Sequence, residues 1–155
     1  MILYLYGPDS YRRQEKLKWY AEKFKEKHSA LTMDNFDLEN ENELTRLKEF
    51  ATAQSLFDNF KFGILNNLAE AGPEELEPIF KISADSKMLT LAVSSEKDLS
   101  KDFKFLKKTV GVVAEEFKIP TAASLNGFIK KEAEKRGVRL SSGHLSILAN
   151  NYKND

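Results

Sequence analysis

Gly7 stands between a short apolar run, "ILYLY", and a stretch of helical pattern, the place where a phosphate-binding loop would lie. Such a loop wraps phosphate oxygens in backbone N–H groups and follows the pattern G-x-x-x-x-G-K-[ST]. Counted from Gly7, the second glycine, the lysine and the hydroxyl fall on Arg12, Arg13 and Gln14. Arg13 imitates the lysine charge. Without the second glycine the backbone does not easily wrap the phosphates, and Gln14 brings no hydroxyl oxygen to magnesium. A nucleotide hydrolase of this layout would also end its third strand in carboxylates for the metal and the attacking water. Here that strand ends in Asn66-Asn67, which cannot act as a base. Gly7, Arg12, Arg13 and Gln14 therefore read as a degenerate phosphate loop that is not expected to bind. A small P-loop-type ATPase with an atypical loop is the alternative.

Other chemistry is equally thin. His28 and His144 are far apart and lack ligand spacing, so they read as surface or helix-end histidines. Asp34, Asp37, Glu39, Glu41 and Glu43 form an acidic cluster without the glycine and spacing of a calcium loop. With no cysteine and no G-x-S-x-G there is no nucleophile arrangement. Ser94-Ser95 closes a strand and reads either as its terminator or as a polar sensor of a ligand. No catalytic residue, metal site or cofactor is expected.

The elements that must position these residues alternate. "ILYLY" is apolar throughout, as suits a strand buried on both faces of a parallel sheet. Asp9 or Ser10 caps a helix to about Lys27, with Leu17, Tyr20, Ala21 and Phe24 on one face. "LTMDNFDL" is a second strand. A helix from Asn42 to Ala53 carries Leu44, Leu47, Phe50 and Ala51 on one side. "FKFGILNN" is the third strand, and Gly72-Pro73-Glu74-Glu75 opens the next helix with proline first and acids near the positive dipole end. "KMLTLAVSS", a short basic helix around Phe103 to Lys107 and "VGVVAEEF" complete five strands of a parallel sheet covered on both sides.

The alternation stops near Lys118. Pro120-Thr121 starts a helix with Leu125, Phe128, Ile129 and Ala133 on one side, ended by Gly137. Ser141-Ser142 caps another with Leu145, Leu148 and Tyr152. This gives an α/β domain over residues 1–118 and a helical module over 119–155. Two short helices bury little, so a longer protein is expected to continue beyond Asp155.

Composition excludes several classes. The chain has 155 residues, enough for one sizeable core, and 24 basic against 24 acidic side chains. Zero formal charge argues against a strong sequence-independent grip on nucleic acid, leaving a DNA-binding reading only to Arg12, Arg13, Lys16 and Lys18. No apolar run reaches the roughly 20 residues that span a bilayer, and "MILYLYG" lacks the basic flank and length of a secretory signal. No membrane association and a cytoplasmic location are expected.

One segment carries a different signal. In "ATAQSLFDNFKFGILNN", Leu56 and Phe57 sit together in a connection that should be polar. One reading turns both residues inward to plug the space beneath the second helix; against it, adjacent residues rarely point into one core, and the polar flanks suggest a segment lifted from the body. Two such side chains entering a partner's pocket could dominate an interface.

The order of these features is similar to a known family. "LYLYGPDSYRRQEKL", "AQSLFDNFKFGILNN", "KMLTLAVSSEKDLSK", "VVAEEFKIP", "LNGFIKKEAEKRGVRLS" and "LSILANNYKND" together resemble the N-terminal part of the delta subunit of the bacterial DNA polymerase III clamp loader. The resemblance implies an AAA+-type, P-loop NTPase-like domain, then the beginning of a helical lid domain, with the family's collar domain absent from this sequence. It implies a non-catalytic accessory subunit of the replicative DNA-directed DNA polymerase III holoenzyme in the bacterial cytoplasm. Such a subunit binds no ATP, binds the ring-shaped sliding clamp (the beta subunit) and helps to open one ring interface. Partners would be the clamp and other clamp-loader subunits, with DNA contacted only indirectly or weakly. The family's Leu-Phe pair matches Leu56 and Phe57, and Gln54-Ser55 looks like part of the wider clamp-binding motif. Asp58 departs from the small residue common after that pair.

Overall fold

A computed structural model describes residues 1–54 and 59–154. Its first compact unit is Met1–Phe117 and its second Lys118–Asp155. In the first, β1 (Ile2–Tyr6), β2 (Met33–Asp37), β3 (Lys61–Asn66), β4 (Leu89–Ser95) and β5 (Val112–Glu116) form an all-parallel sheet in the order β2-β3-β4-β1-β5. Between them lie α1 (Ser10–Lys25), α2 (Glu43–Thr52), α3 (Pro73–Asp85) and the single turn α4 (Phe105–Lys108). The α/β parallel architecture expected from the alternation is the one observed.

The side-chain period of two explains the core. Ile2 and Tyr4 of β1, Leu65 of β3 and Leu89, Leu91 and Val93 of β4 pack with Leu47, Leu76, Phe80 and Leu106 from α2, α3 and α4. On the opposite face Leu3, Phe62 and Ala92 meet Leu17, Tyr20 and Phe24 of α1. On the first of these faces Gly63 lets α2 pack closely, because a Cβ at this position would lie 3.0 Å from Leu91 and 3.3 Å from Phe50.

Coverage of both faces holds for the central strands and not for β5, where Val113, Ala114 and Glu116 are exposed. The reason is lateral: α1 packs over β1, β3 and β4, and meets the edge strand β5 through the Lys16–Glu115 ion pair at 3.6 Å.

Beyond the C-terminal edge of the sheet, a polar network ties β1 to the β4–α4 connection. The Tyr4 hydroxyl donates to Asp98 at 3.2 Å and accepts from the Leu99 N–H at 2.6 Å, while Lys107 donates to Asp98 at 2.7 Å. The Lys107 ammonium also lies 4.2 Å from the Tyr6 ring centroid, and Tyr6 stacks on Tyr4. These bonds, chiefly that from Lys107, hold Asp98 well below the usual carboxylate range, and burial pushes Tyr4 up to about 12. A folded-state pKa depressed at Asp98 contributes stability that is present at neutral pH and fades as pH falls through the acid range. Asp98→Asn should therefore lose on the order of 1 kcal/mol near pH 7, an amount reduced by the group's partial exposure. The difference from wild type should shrink toward about pH 2. Urea midpoints across pH measure this, and a difference constant with pH would contradict the assignment.

The second unit contains α5 (Ala122–Lys135) and α6 (Ser142–Asn154). The Thr121 side chain caps α5 by accepting from the Ser124 N–H. Gly137, at φ 72°, ends it with the Val138 N–H returning to Ala133 O at 2.8 Å, a left-handed C-cap. Leu125 and Ile129 are buried, and Phe128 meets Tyr152 edge-on at 5.9 Å. Among the described residues, no helix is long and apolar enough to cross a membrane.

Candidate functional site

The topology marks one place for a ligand. β4 and β1 are neighbours, yet the chain leaves β1 for α1 on one face and β4 for α4 on the other. Such a switch point opens a crevice at the C-terminal ends of parallel strands. Gly7 lies there with φ 120°, and its N–H bonds Ser95 O at 3.0 Å.

The protein's own side chains occupy this crevice. Arg13, buried on the first turns of α1, donates from Nη1 to Gly7 O and from Nε to Ser94 Oγ at 2.9 Å. Burial pulls its pKa down, opposed by the nearby Glu96 and Asp9 carboxylates. Asp9, also buried, caps α1 by accepting from the Arg12 N–H at 3.0 Å, and it pairs with Arg12 Nε. A phosphate at this helix N-terminus would meet a carboxylate already bound to the N–H groups and dipole it needs. Gln14 is exposed on α1. The residues present do not fit a nucleotide phosphate, and magnesium-ATP titrated into the chain should produce no binding heat in calorimetry. A saturable isotherm would overturn that.

Ser94 thus serves as a partner for Arg13, and Ser95 Oγ turns back to Lys97 O at 2.8 Å. Of the four cations considered for DNA, Arg13 is buried, Arg12 is paired with Asp9, and Lys16 faces Glu115 and the rings of Trp19 and Tyr20. Lys18 is exposed. The acidic cluster is structural in part: Asp34 pairs with Arg46 at 2.6 Å, and Asp37 accepts from Asn67 Nδ2 at 2.7 Å. Among the described residues, no group of three or more His, Asp or Glu is placed to hold a metal.

The opposite, N-terminal edge of the sheet has another character. Ser55, Leu56, Phe57 and Asp58 lie outside the described residues. Their described neighbours are Gln54, exposed just after α2, and Asn59 and Phe60, exposed just before β3. A hollow of about 380 Å³ on one side is lined by Gln54, Asn59, Ile82, Ser86 and Met88 among others. A smaller one of about 150 Å³ is lined by Leu31, Phe50 and Gln54 among others. Leu31 is 74% exposed and Met88 51%, so apolar surface faces outward around the connection. His28, which the sequence places at a helix end, stacks on Phe60 at 4.3 Å and tilts against Phe24 at 4.8 Å. His144 is exposed.

Sequence reasoning missed Lys61. It is buried where β3 begins, and its ammonium bonds backbone carbonyls at the end of α2. The signal was its parity: Lys61 shares the inward face of β3 with Gly63 and Leu65, an unusual place for a lone charge. No protein-family model matches this chain, and no curated protein matches it significantly.

Proposed function

We propose that this chain is a non-catalytic clamp-loader subunit of the delta type, which docks Leu56 and Phe57 into a bacterial sliding clamp. The observation that carries this reading is the apolar rim of Leu31, Phe60, Ile82 and Met88 around the connection that holds the pair. A monomeric surface rarely gathers exposed apolar side chains at one edge without a partner to receive them. The crevice filled by Arg13 and Asp9 supports the non-catalytic half of the reading, since a subunit that uses no nucleotide needs no open phosphate site.

In this reading the first unit is an AAA+-type domain and the second the beginning of a lid domain. Replication in the bacterial cytoplasm is the setting, with other loader subunits as further partners. The mechanism is binding energy: the docked surface favours a relaxed or open ring interface, by as much as its affinity differs between the two ring states. Calorimetry of the chain against a purified bacterial sliding clamp tests the reading, with Leu56→Ala/Phe57→Ala alongside. Absence of binding by the wild-type chain would sink it.

A further inference from the structure

We propose that Lys61 is the positioning residue that fixes both roots of the clamp-docking connection, so that its affinity for the clamp depends on a lysine that does not belong to the docking motif. The inference rests on the docking reading above.

The last carbonyls of an α-helix have no partners within the helix, and a cation there complements the dipole. At the end of α2 this role falls to Lys61, whose Nζ donates to Phe50 O, to Ala51 O at 3.1 Å and to Ala53 O at 2.7 Å. An ammonium has three donors, and three carbonyls take them. Ala53 still returns its N–H to Glu49 O at 2.8 Å, but its backbone is already extended, so the chain departs from the helix where Lys61 grips it. The same residue secures the return. Its N–H bonds Met88 O at 2.7 Å, and it pairs with Leu89 as the first residue of β3. One side chain and one backbone therefore define where the connection starts and ends. The two hollows beside it share Ala53, Gln54 and Lys61 as lining, so the anchor also stands between them. A recognition segment held at both roots loses less freedom on binding than one on a frayed helix end.

Lys61→Met keeps the length and the apolar stem and removes all three donors. Tyr4→Phe serves as a control at the opposite edge of the sheet, where it removes the hydroxyl bonded to Asp98 and Leu99. Each variant is titrated against a purified bacterial sliding clamp, its urea stability is measured, and amide exchange is followed at Ala53. Lys61→Met should weaken clamp binding about tenfold and speed exchange at Ala53, while Tyr4→Phe leaves affinity within about twofold of wild type. Lys61→Gln, which retains part of the donor set, should fall between them and replaces Lys61→Met if that variant does not fold. Unchanged affinity of the lysine variants, or equal weakening by Tyr4→Phe, would overturn the inference and leave the docking reading standing. No clamp binding by the wild-type chain would remove both.

Discussion

Alanine at both Leu56 and Phe57 is expected to abolish detectable binding to a bacterial sliding clamp. Central apolar anchors at an interface contribute about 2 kcal/mol or more each on truncation, so losing two weakens affinity about a thousandfold. Stability, followed by urea unfolding of the same preparations, separates the two explanations for any such loss. If the pair docks outside the fold, the double variant unfolds near the wild-type midpoint and only binding disappears. If the pair belongs to the core, the variant loses about 5–10 kcal/mol, enough to unfold most domains of this size, and the docking assignment fails.

Gly7→Ala should be the most damaging single substitution to the fold. A Cβ on Gly7 would stand 2.4 Å from Phe117 O, in a backbone with φ 120° that other residues rarely adopt. The neighbours cannot retreat easily, since Phe117 O already accepts from the Asp9 N–H at 3.0 Å and the Phe117 N–H returns to Tyr6 O at 2.6 Å. Backbone strain and steric overlap together should remove about 3–5 kcal/mol, a large share of a typical domain's stability. The same change at Gly127, on α5 with nothing within 4 Å of an added Cβ, should be neutral or slightly stabilising. Thermal unfolding of the two variants side by side reads the contrast. A Gly7→Ala midpoint close to wild type would mean that the turn does not approach Phe117 as described.

Much of this architecture is legible in the residues. A continuous apolar "ILYLY" has no polar side to give to water, so a parallel strand is the only comfortable place for it, and β1 is buried along most of its length. Pro73 with Glu74 and Glu75 marks the start of α3 to the residue. Lateral order is another matter. Nothing in the strand patterns says that β1 lies between β4 and β5, because that choice is made by crossover handedness and by which helix covers which face. For the same reason the exposure of Val113 and Ala114 was not foreseeable from an apolar strand.

The candidate site was legible in a different way. Gly7, Arg12, Arg13 and Gln14 declare a loop without phosphate chemistry, but the motif says only what is missing. That Arg13 turns inward to Ser94, across 81 positions of sequence, is a tertiary fact that local spacing does not carry. Lys61 was passed over because a lysine in a strand is usually read as solvated. Its three carbonyl partners lie on the last turn of α2 and on Ala53 just past it, and only the fold determines the position of α2 over β3.

The register of β1 bears on how the molecule comes into being. Leu3 pairs with Ala92 on one side and Val113 on the other, so the earliest strand to be synthesised has to await the last two. At ~5–20 residues per second, β4 emerges on the order of 5–20 s after β1. During that interval β2 and β3 can already associate, while "ILYLY" remains an adhesive apolar tag on the nascent chain. The sheet is closed by inserting its first-made strand into a slot between late arrivals, a slow, non-local step that favours chaperone protection of β1 during translation.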